Sequence, residues 1–352
     1  MIFNNQELKT KTDIRSLSFE EIQQFLKSIN EKSFRAKQIY EWLWCKSARS
    51  FENMVNVPQK LKLVLSDNFD FRTAVIEQNL KSPDGTIKFV FKLYDNNKIE
   101  GVLIPSGKRM TACVSTQCGC PIGCSFCATG INGFTRNLSY AEIYDQVFLI
   151  SESAKKEYNQ KLSNIVYMGM GEPFLNYENT INSIIKFTSP NGLSMSPQRI
   201  TISTAGIPEK IIKFAKDKTN VNLAVSLHSA IDFKRDLIMP LNKKYTVKDL
   251  SKSLIKYYLI TKNRITIEYL LLNDFNDSIN DAKELAVFCK SFPVKINLIE
   301  YNPTASSDFL KSEPDKMNEF KKYLESKNLT VNIRKSKGEK IFAACGQLSC
   351  KK

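Results

Sequence analysis

The sequence predicts an α/β protein: a parallel sheet of six β-α units curled into a partial (β/α)6 barrel, preceded by a helical N-terminal module and a β-hairpin. Three observations carry this. From about Met110 onward, short apolar runs alternate with helical repeats. Residues 1–75 show helical periodicity with no strand pattern. Residues 76–109 read as two strands around a turn, joining the two regions. The expected division is therefore 1–75, 76–109 and 110–352, within a chain of 352 residues.

In the first region, Ser18 to Glu21 forms a capping box and Ile22, Phe25, Leu26 and Ile29 follow at helical spacing. Further helices are expected near Phe34 to Trp44 and Pro58 to Leu65. The segment Arg35 to Arg49 mixes Arg35, Lys37, Lys46 and Arg49 with Tyr40, Trp42 and Trp44. Basic and aromatic residues together suit RNA contact, although a small bundle would bury the two tryptophans. The hairpin runs from Thr86 to Leu93, turns at Asp95-Asn96-Asn97, and returns along Lys98 to Ile104.

In the third region the expected strands are Met110–Thr116, Asn164–Met168, Arg199–Ser203, Val221–Ser226, Arg264–Leu272 and Val294–Ile299. Helices fall between them at Ser139–Ala154, Thr246–Thr261 and Asn280–Cys289. A further strand near Val331–Arg334 precedes a Lys-rich tail containing Cys345 and Cys350. Ligand-binding residues belong at the C-terminal ends of such strands.

Lys plus Arg is 51 against 36 Asp plus Glu, a net charge of +15. That surplus favours a polyanionic partner, nucleic acid first. It is not a basic tail, because residues 1–75 hold 12 basic and 9 acidic side chains. Met1 to Thr10 lacks the layout of a signal peptide and no apolar run reaches spanning length. A cytoplasmic protein with no membrane partner is expected.

Five of the nine cysteines fall between Cys113 and Cys127. Clustering in a large chain points to a metal or redox site rather than a disulfide scaffold. Cys120, Cys124 and Cys127 form C-x3-C-x2-C with Phe126 before the last. Three thiolates on one loop suit three irons of a cubane and leave the fourth open. Iron–sulfur clusters usually have four Cys ligands, and Cys113, Cys118 or Cys345 are available as a fourth. Zinc usually takes a second Cys pair downstream, and no such pair follows. Cys45 and Cys289 read as core thiols. One β-α unit later, a strand runs into Gly169-Met-Gly171-Glu172-Pro173. Glycines allow close approach of a ligand, and Glu172 suits an ammonium group.

The cysteine loop resembles the radical S-adenosylmethionine (SAM) signature. The runs Arg109-Met-Thr-Ala-Cys113-Val-Ser-Thr-Gln, Gly133-Phe-Thr-Arg-Asn137-Leu, Gly169-Met-Gly-Glu-Pro173, Ser203-Thr-Ala-Gly206, Ser226-Leu-His228, Tyr301-Asn302-Pro303 and Ala343-Ala-Cys345-Gly-Gln-Leu348 resemble one family within it. It is the dual-specificity adenine carbon-2 methyltransferase family of 23S rRNA and tRNA. The likeness covers nearly the whole chain.

The resemblance implies a radical-SAM barrel and two cofactors, a 4Fe-4S cluster and SAM. It implies cluster ligands at Cys120, Cys124 and Cys127. It places SAM contacts at Gly171, Glu172, Ser203, Ser226, Leu227, His228 and Asn302. Cys345 matches the cysteine that becomes S-methylated, Cys113 its thiol partner, and Glu100 a proposed proton acceptor. The implied route passes through a methylated Cys345, a hydrogen-abstracting adenosyl radical, and a closing Cys113–Cys345 disulfide. The implied partners are 23S rRNA at the peptidyl transferase centre, the tRNA anticodon loop, and a low-potential electron donor such as flavodoxin. The chain is expected to act as a monomer.

One departure stands out. Cys118 occupies a position where many carbon-2 enzymes carry an apolar residue. The related branch that methylates carbon 8 of the same rRNA adenine, and confers antibiotic resistance, often has Cys-Gly-Cys there. Gly171-Glu172-Pro173, Gly133 to Asn137 and Ile104-Pro105 match the carbon-2 branch. A non-catalytic RNA-binding protein stabilised by metal is the alternative of another class.

Overall fold

The computed structural model of the chain describes residues 11–304 and 307–350. The expectation for Met1 to Thr10 lies outside those residues. Seven parallel strands lie side by side in chain order: Arg109–Cys113, Asn164–Tyr167, Ile200–Thr204, Asn222–Ser226, Ile265–Leu271, Val294–Glu300 and Thr330–Arg334. All six expected parallel strands and the further one are present. Sequential β-α units place each strand beside its predecessor, because the crossover helix covers the sheet and returns the chain in the same sense. Strands of the parallel sheet are buried on both faces and are mostly apolar: Leu223, Ala224 and Val225 are all buried. The sheet is open, with Thr330–Arg334 at one end.

The hairpin differs from expectation in its connection. Lys98–Ser106 pairs antiparallel with Arg109–Cys113, Ile87–Lys92 pairs with Lys98–Ser106, and Val75–Lys81 adds an edge strand. The linker is therefore three strands of the same ten-stranded sheet. Val75–Lys81 escaped notice because every one of its residues is exposed, so it carries no alternation. Its pairing also shifts register between Ile76 and Gln78. The turn at Asp95 to Asn97 forms as read, with Asn96 left-handed at φ 65°.

The N-terminal helices Phe19–Ser28, Phe34–Trp44 and Gln59–Asn68 match the expected three. The Ser18/Glu21 capping box is formed, as is the Ser139/Glu142 box that opens Tyr140–Tyr158. Trp44 is fully buried, its ring 5.5 Å from Tyr140 and 5.1 Å from Tyr144. Tyr40, Trp44 and Tyr140 surround Lys186, whose ammonium lies 4.5 and 4.6 Å from the first two rings. Arg49 reaches Asp145. Much of the basic and aromatic run thus docks the module onto the core. Trp42 differs: it is half-buried, with Lys46 over its ring. Cys289 is buried as expected, while Cys45 sits half-buried at a helix end. Among the described residues no helix is long and apolar enough to cross a membrane.

Candidate active site

At the C-terminal ends of the parallel strands lies an inner cavity of about 930 Å3, open solvent at its mouth included. Its wall includes Cys120, Cys124, Cys127, Gly171, Glu172, Ser203, Ser226 and His228. The strand-end rule therefore brings eight of the expected residues together.

The cysteine loop is framed by a short ladder, Gln117–Gly119 with Phe134–Asn137, which the sequence did not reveal as strands. Gly119 is left-handed at φ 81°, and a Cβ there would meet the Gly133 carbonyl oxygen at 2.0 Å. The Cys120 N–H donates to that same carbonyl at 2.8 Å, which turns the loop inward. Burial raises the Cys120 thiol to about 12. Burial, then the neighbouring Cys127 and Cys120, pushes Cys124 well up. Crowded thiols in a dry pocket ionise only against compensating positive charge, and metal cations supply it. Among the described residues no three His, Cys, Asp or Glu side chains converge on a single ion. Three thiols at C-x3-C-x2-C spacing on one cavity wall fit an iron–sulfur cluster, whose usual ligands are Cys thiolates.

Gly171, at φ +100°, sits against Gln117, where an added Cβ would come within 2.6 Å of Gln117 Cβ. Glu172 is buried, and burial raises its carboxyl. It accepts from the Thr204 hydroxyl and the Ala205 N–H, both at 2.7 Å, and from the Phe174 N–H at 2.9 Å. Ser203 and Ser226 hydroxyls lie 3.4 Å apart on adjacent strands. Leu227 differs: its side chain is wholly buried and it is not part of the cavity wall.

His228 is left-handed at φ 56° and meets Phe126 edge-on at 4.9 Å. Its Nδ1 accepts from the Leu270 N–H at 3.0 Å. The neutral ring then carries its proton on Nε2, as a donor. Burial, aided by Arg235, lowers its pKa to about 3. Between that value and the unfolded value of about 6.5, the unfolded chain binds the extra proton. This contribution to stability is therefore full above about pH 6.5 and is lost as pH falls toward 3. At pH 5 the loss is about 2 kcal/mol. Urea denaturation at pH 7.5 and pH 5 should show a drop that is smaller by about that amount in His228→Gln. An equal drop in both proteins contradicts the assignment.

Cys113 and Cys345 meet at an outer cavity lined also by Arg109, Thr111, Met168, Arg334, Lys335 and Lys337. Cys345 lines the inner cavity as well. Cys113 ends its strand, buried, its thiol pushed up to about 12 by burial and by Cys345. The tail carrying Cys345 is pinned to the cluster loop. Ala128 N–H donates to the Gly346 carbonyl at 2.8 Å, and the Thr129 hydroxyl to that of Leu348 at 2.6 Å. Asn302 Nδ2 donates to the Cys345 carbonyl at 3.3 Å; it positions the tail and does not line the inner cavity.

Glu100 lies in neither cavity wall. Its carboxylate accepts from Lys88 Nζ at 3.3 Å and from the Ser349 N–H at 2.8 Å. Cys118 is buried on the ladder strand, outside both walls. Sequence reasoning missed Arg334, Glu268 and Arg235. Arg235 is fully buried and donates to the carbonyls of Leu227 and Ala205 at 3.0 and 2.6 Å and to Asn242 Oδ1 at 2.8 Å. It ties two strand ends beside Cys124. Arg334 ends a strand whose position had been read, so the strand-end rule was the available signal.

Residues 12–70 match the family described as the ribosomal RNA large subunit methyltransferase N-terminal domain, and residues 114–286 match the radical SAM superfamily. A probable dual-specificity RNA methyltransferase RlmN of Cytophaga hutchinsonii is 50% identical over 98% of this chain and 94% of its own length. One from Thermotoga neapolitana is 42% identical over 97% and 98%. The crystal structure of a radical SAM methyltransferase from Sphaerobacter thermophilus superposes with a TM-score of 0.90. It is 36% identical, over 96% of this chain and 99% of that one.

Proposed function

Because the chain belongs to the RlmN family of dual-specificity RNA methyltransferases within the radical SAM enzymes, we propose that it methylates carbon 2 of adenosine in 23S rRNA and in the tRNA anticodon loop. The observation that supports this best is the position of Cys345. It lines the inner cavity together with the three loop cysteines and the outer cavity together with Cys113. A methyl carrier must reach both the methyl donor and the RNA base.

The chemistry explains the parts. Carbon 2 of adenine lies between two electron-withdrawing nitrogens and is a poor nucleophile, so polar methyl transfer to it fails. A bound 4Fe-4S cluster with SAM supplies one-electron cleavage and hydrogen abstraction instead. Cys120, Cys124 and Cys127 hold the cluster. Gly171, Glu172, Ser203, Ser226 and neutral His228 hold SAM, with the backbone around Leu227 shaping its site and Asn302 steadying the tail. Cys345 accepts a methyl group from SAM, consumed as substrate, and carries it to the base. Glu100, buried and tied to the tail through Ser349, accepts the proton from carbon 2 after the tail moves. Cys113 then attacks the Cys345 sulfur and frees the methylated RNA. A two-electron reductant must reset the resulting disulfide.

Residues 1–75 serve as the RNA-binding module and 110–352 as the methyltransferase core, with 76–109 as the β-strand linker between them. The protein works as a monomer in the cytoplasm and draws electrons from a low-potential donor of the flavodoxin kind. The basic rim of Arg109, Lys335 and Lys337 at the outer cavity suits phosphate contacts. Cys118 lies outside both cavity walls, and the route above assigns it no step.

The test is product identity. Anaerobically reconstituted protein, incubated with SAM, a low-potential reductant and a 23S rRNA fragment, should yield 2-methyladenosine by mass spectrometry. Cys345→Ala should yield none. Appearance of 8-methyladenosine would reassign the protein to the resistance branch, and no methylated adenosine from wild type would reject the reading.

A further inference from the structure

Arg334 is the one arginine that lines both cavities. It ends the strand Thr330–Arg334, beside the tail that carries Cys345. Its guanidinium lies 3.8 Å from the Glu268 carboxylate and donates to Met168 Sδ at 3.5 Å. Glu268 is buried on the strand Ile265–Leu271, with Oε1 accepting from Asn297 at 2.9 Å and Oε2 without a hydrogen-bond partner. The long ion pair leaves much of the arginine charge to other neighbours. Cys113 and Cys345 line the same outer cavity as that guanidinium. Cys345, then Glu268 and Cys113, raise the guanidinium pKa against burial.

We propose that Arg334 is a positioning residue that acts as one counter-cation for two thiolates in turn, first Cys345 and then Cys113. This rests on the proposed function above. The Cys345 thiolate attacks the methyl carbon of SAM. The new S–C bond forms as the methyl–sulfonium bond breaks, and that electron pair stays on the departing thioether. Cys345 is then a neutral thioether and has no further claim on the cation. Cys113, held up until then by burial and by the neighbouring Cys345 sulfur, now has the guanidinium to itself. Its thiolate attacks the Cys345 sulfur, the S–S bond forms, and the S–CH2 bond breaks. That bond's electron pair, with a proton, completes the methyl group on adenine. Methylating one thiol thereby activates the other, so release chemistry is timed to follow loading.

The other charged or titratable groups that face these thiols are Arg109, Lys335 and Lys337 in the outer cavity, and Glu172, His228, Glu268, Tyr167, Tyr301 and the three loop cysteines in the inner one. They are common to wild type and variants, so differences report Arg334 alone. The test is the pH dependence of alkylation by iodoacetamide of SAM-free, iron-loaded protein, read peptide by peptide by mass spectrometry, with any S-methylated Cys345 scored separately by mass. Arg334→Met should slow alkylation of Cys345 at neutral pH by about tenfold, and Arg334→Lys should restore most of it. Cys345→Ala, which mimics a sulfur without charge, should lower the Cys113 midpoint by about one unit. The Cys345→Ala/Arg334→Met double variant should lose that lowering. An unchanged rate of Cys345 alkylation in folded Arg334→Met overturns the proposal. So does an unchanged Cys113 midpoint in Cys345→Ala, which needs no arginine variant to fold. These readouts need no RNA and no turnover, so their failure is distinct from failure to make methyladenosine.

Discussion

Cys113→Ala should convert the enzyme into one that attaches itself to its RNA and stays there. Cys345 would still load a methyl group and join it to adenine, because neither step uses the Cys113 sulfur. The bond between the Cys345 sulfur and the base would then have nothing to break it. Cys113 is suited to that task by position: it ends the first parallel strand and shares the outer cavity with Cys345. Other cysteines do not replace it. Cys118 is buried outside both cavity walls, and the three loop cysteines, which line the inner cavity, are the proposed cluster ligands. The expected result on a denaturing gel is an RNA-shifted band of protein approaching one equivalent, with free methyladenosine nearly absent. Peptide mapping should locate the attachment at Cys345. Free product at wild-type yield would remove Cys113 from the release step.

The expected strands and the cysteine loop were legible because each is local. A β-α alternation is written in short windows, and C-x3-C-x2-C needs only one loop. The cavity wall followed from them, since residues after parallel strands face one end of the sheet. What escaped depends on partners distant in sequence. Arg334 looks like an ordinary surface cation until the fold sets it on the same cavity wall as Cys113, 221 residues away by number. Glu268 reads as one polar residue in an apolar strand. Leu227 shows the converse: it stands between two residues of the cavity wall, but its side chain turns into the core. Trp42 and Trp44 are two positions apart on one helix, so one faces inward and the other outward. Glu100 was found by motif, and only the fold shows its carboxylate held by Lys88 and by the tail.

The charged part of the joint between the N-terminal module and the core centres on one buried carboxylate, and Asp145→Ala should loosen the joint. Asp145, on the helix Tyr140–Tyr158, has a side chain only 3% exposed. It accepts from Arg15 Nη1 at 2.7 Å, Arg49 Nη1 at 3.2 Å and the Ala74 N–H at 2.8 Å. All three donors come from the segment that precedes the sheet. Arg15 is itself 2% exposed, and after the substitution only Asp13 remains to balance it. Removing one partner of a buried pair and stranding the other costs about 3–5 kcal/mol. That is a large share of the stability of a domain of this size, about 5–15 kcal/mol. The apolar part of the joint, Trp44 against Tyr140 and Tyr144, would remain. Undocking is therefore expected before global unfolding. Limited proteolysis should cut near Phe71 to Ala74 much faster in Asp145→Ala than in wild type. Iron content and SAM binding should persist, because the inner cavity is built from residues 120–346. Affinity for RNA should fall and become less dependent on salt, since the module would no longer be held in register with the basic rim. Asp145→Asn, which keeps an acceptor and removes the charge, should fall between the two. If Asp145→Ala matches wild type in protease sensitivity, the joint is carried by the aromatic contacts and the buried charges contribute little.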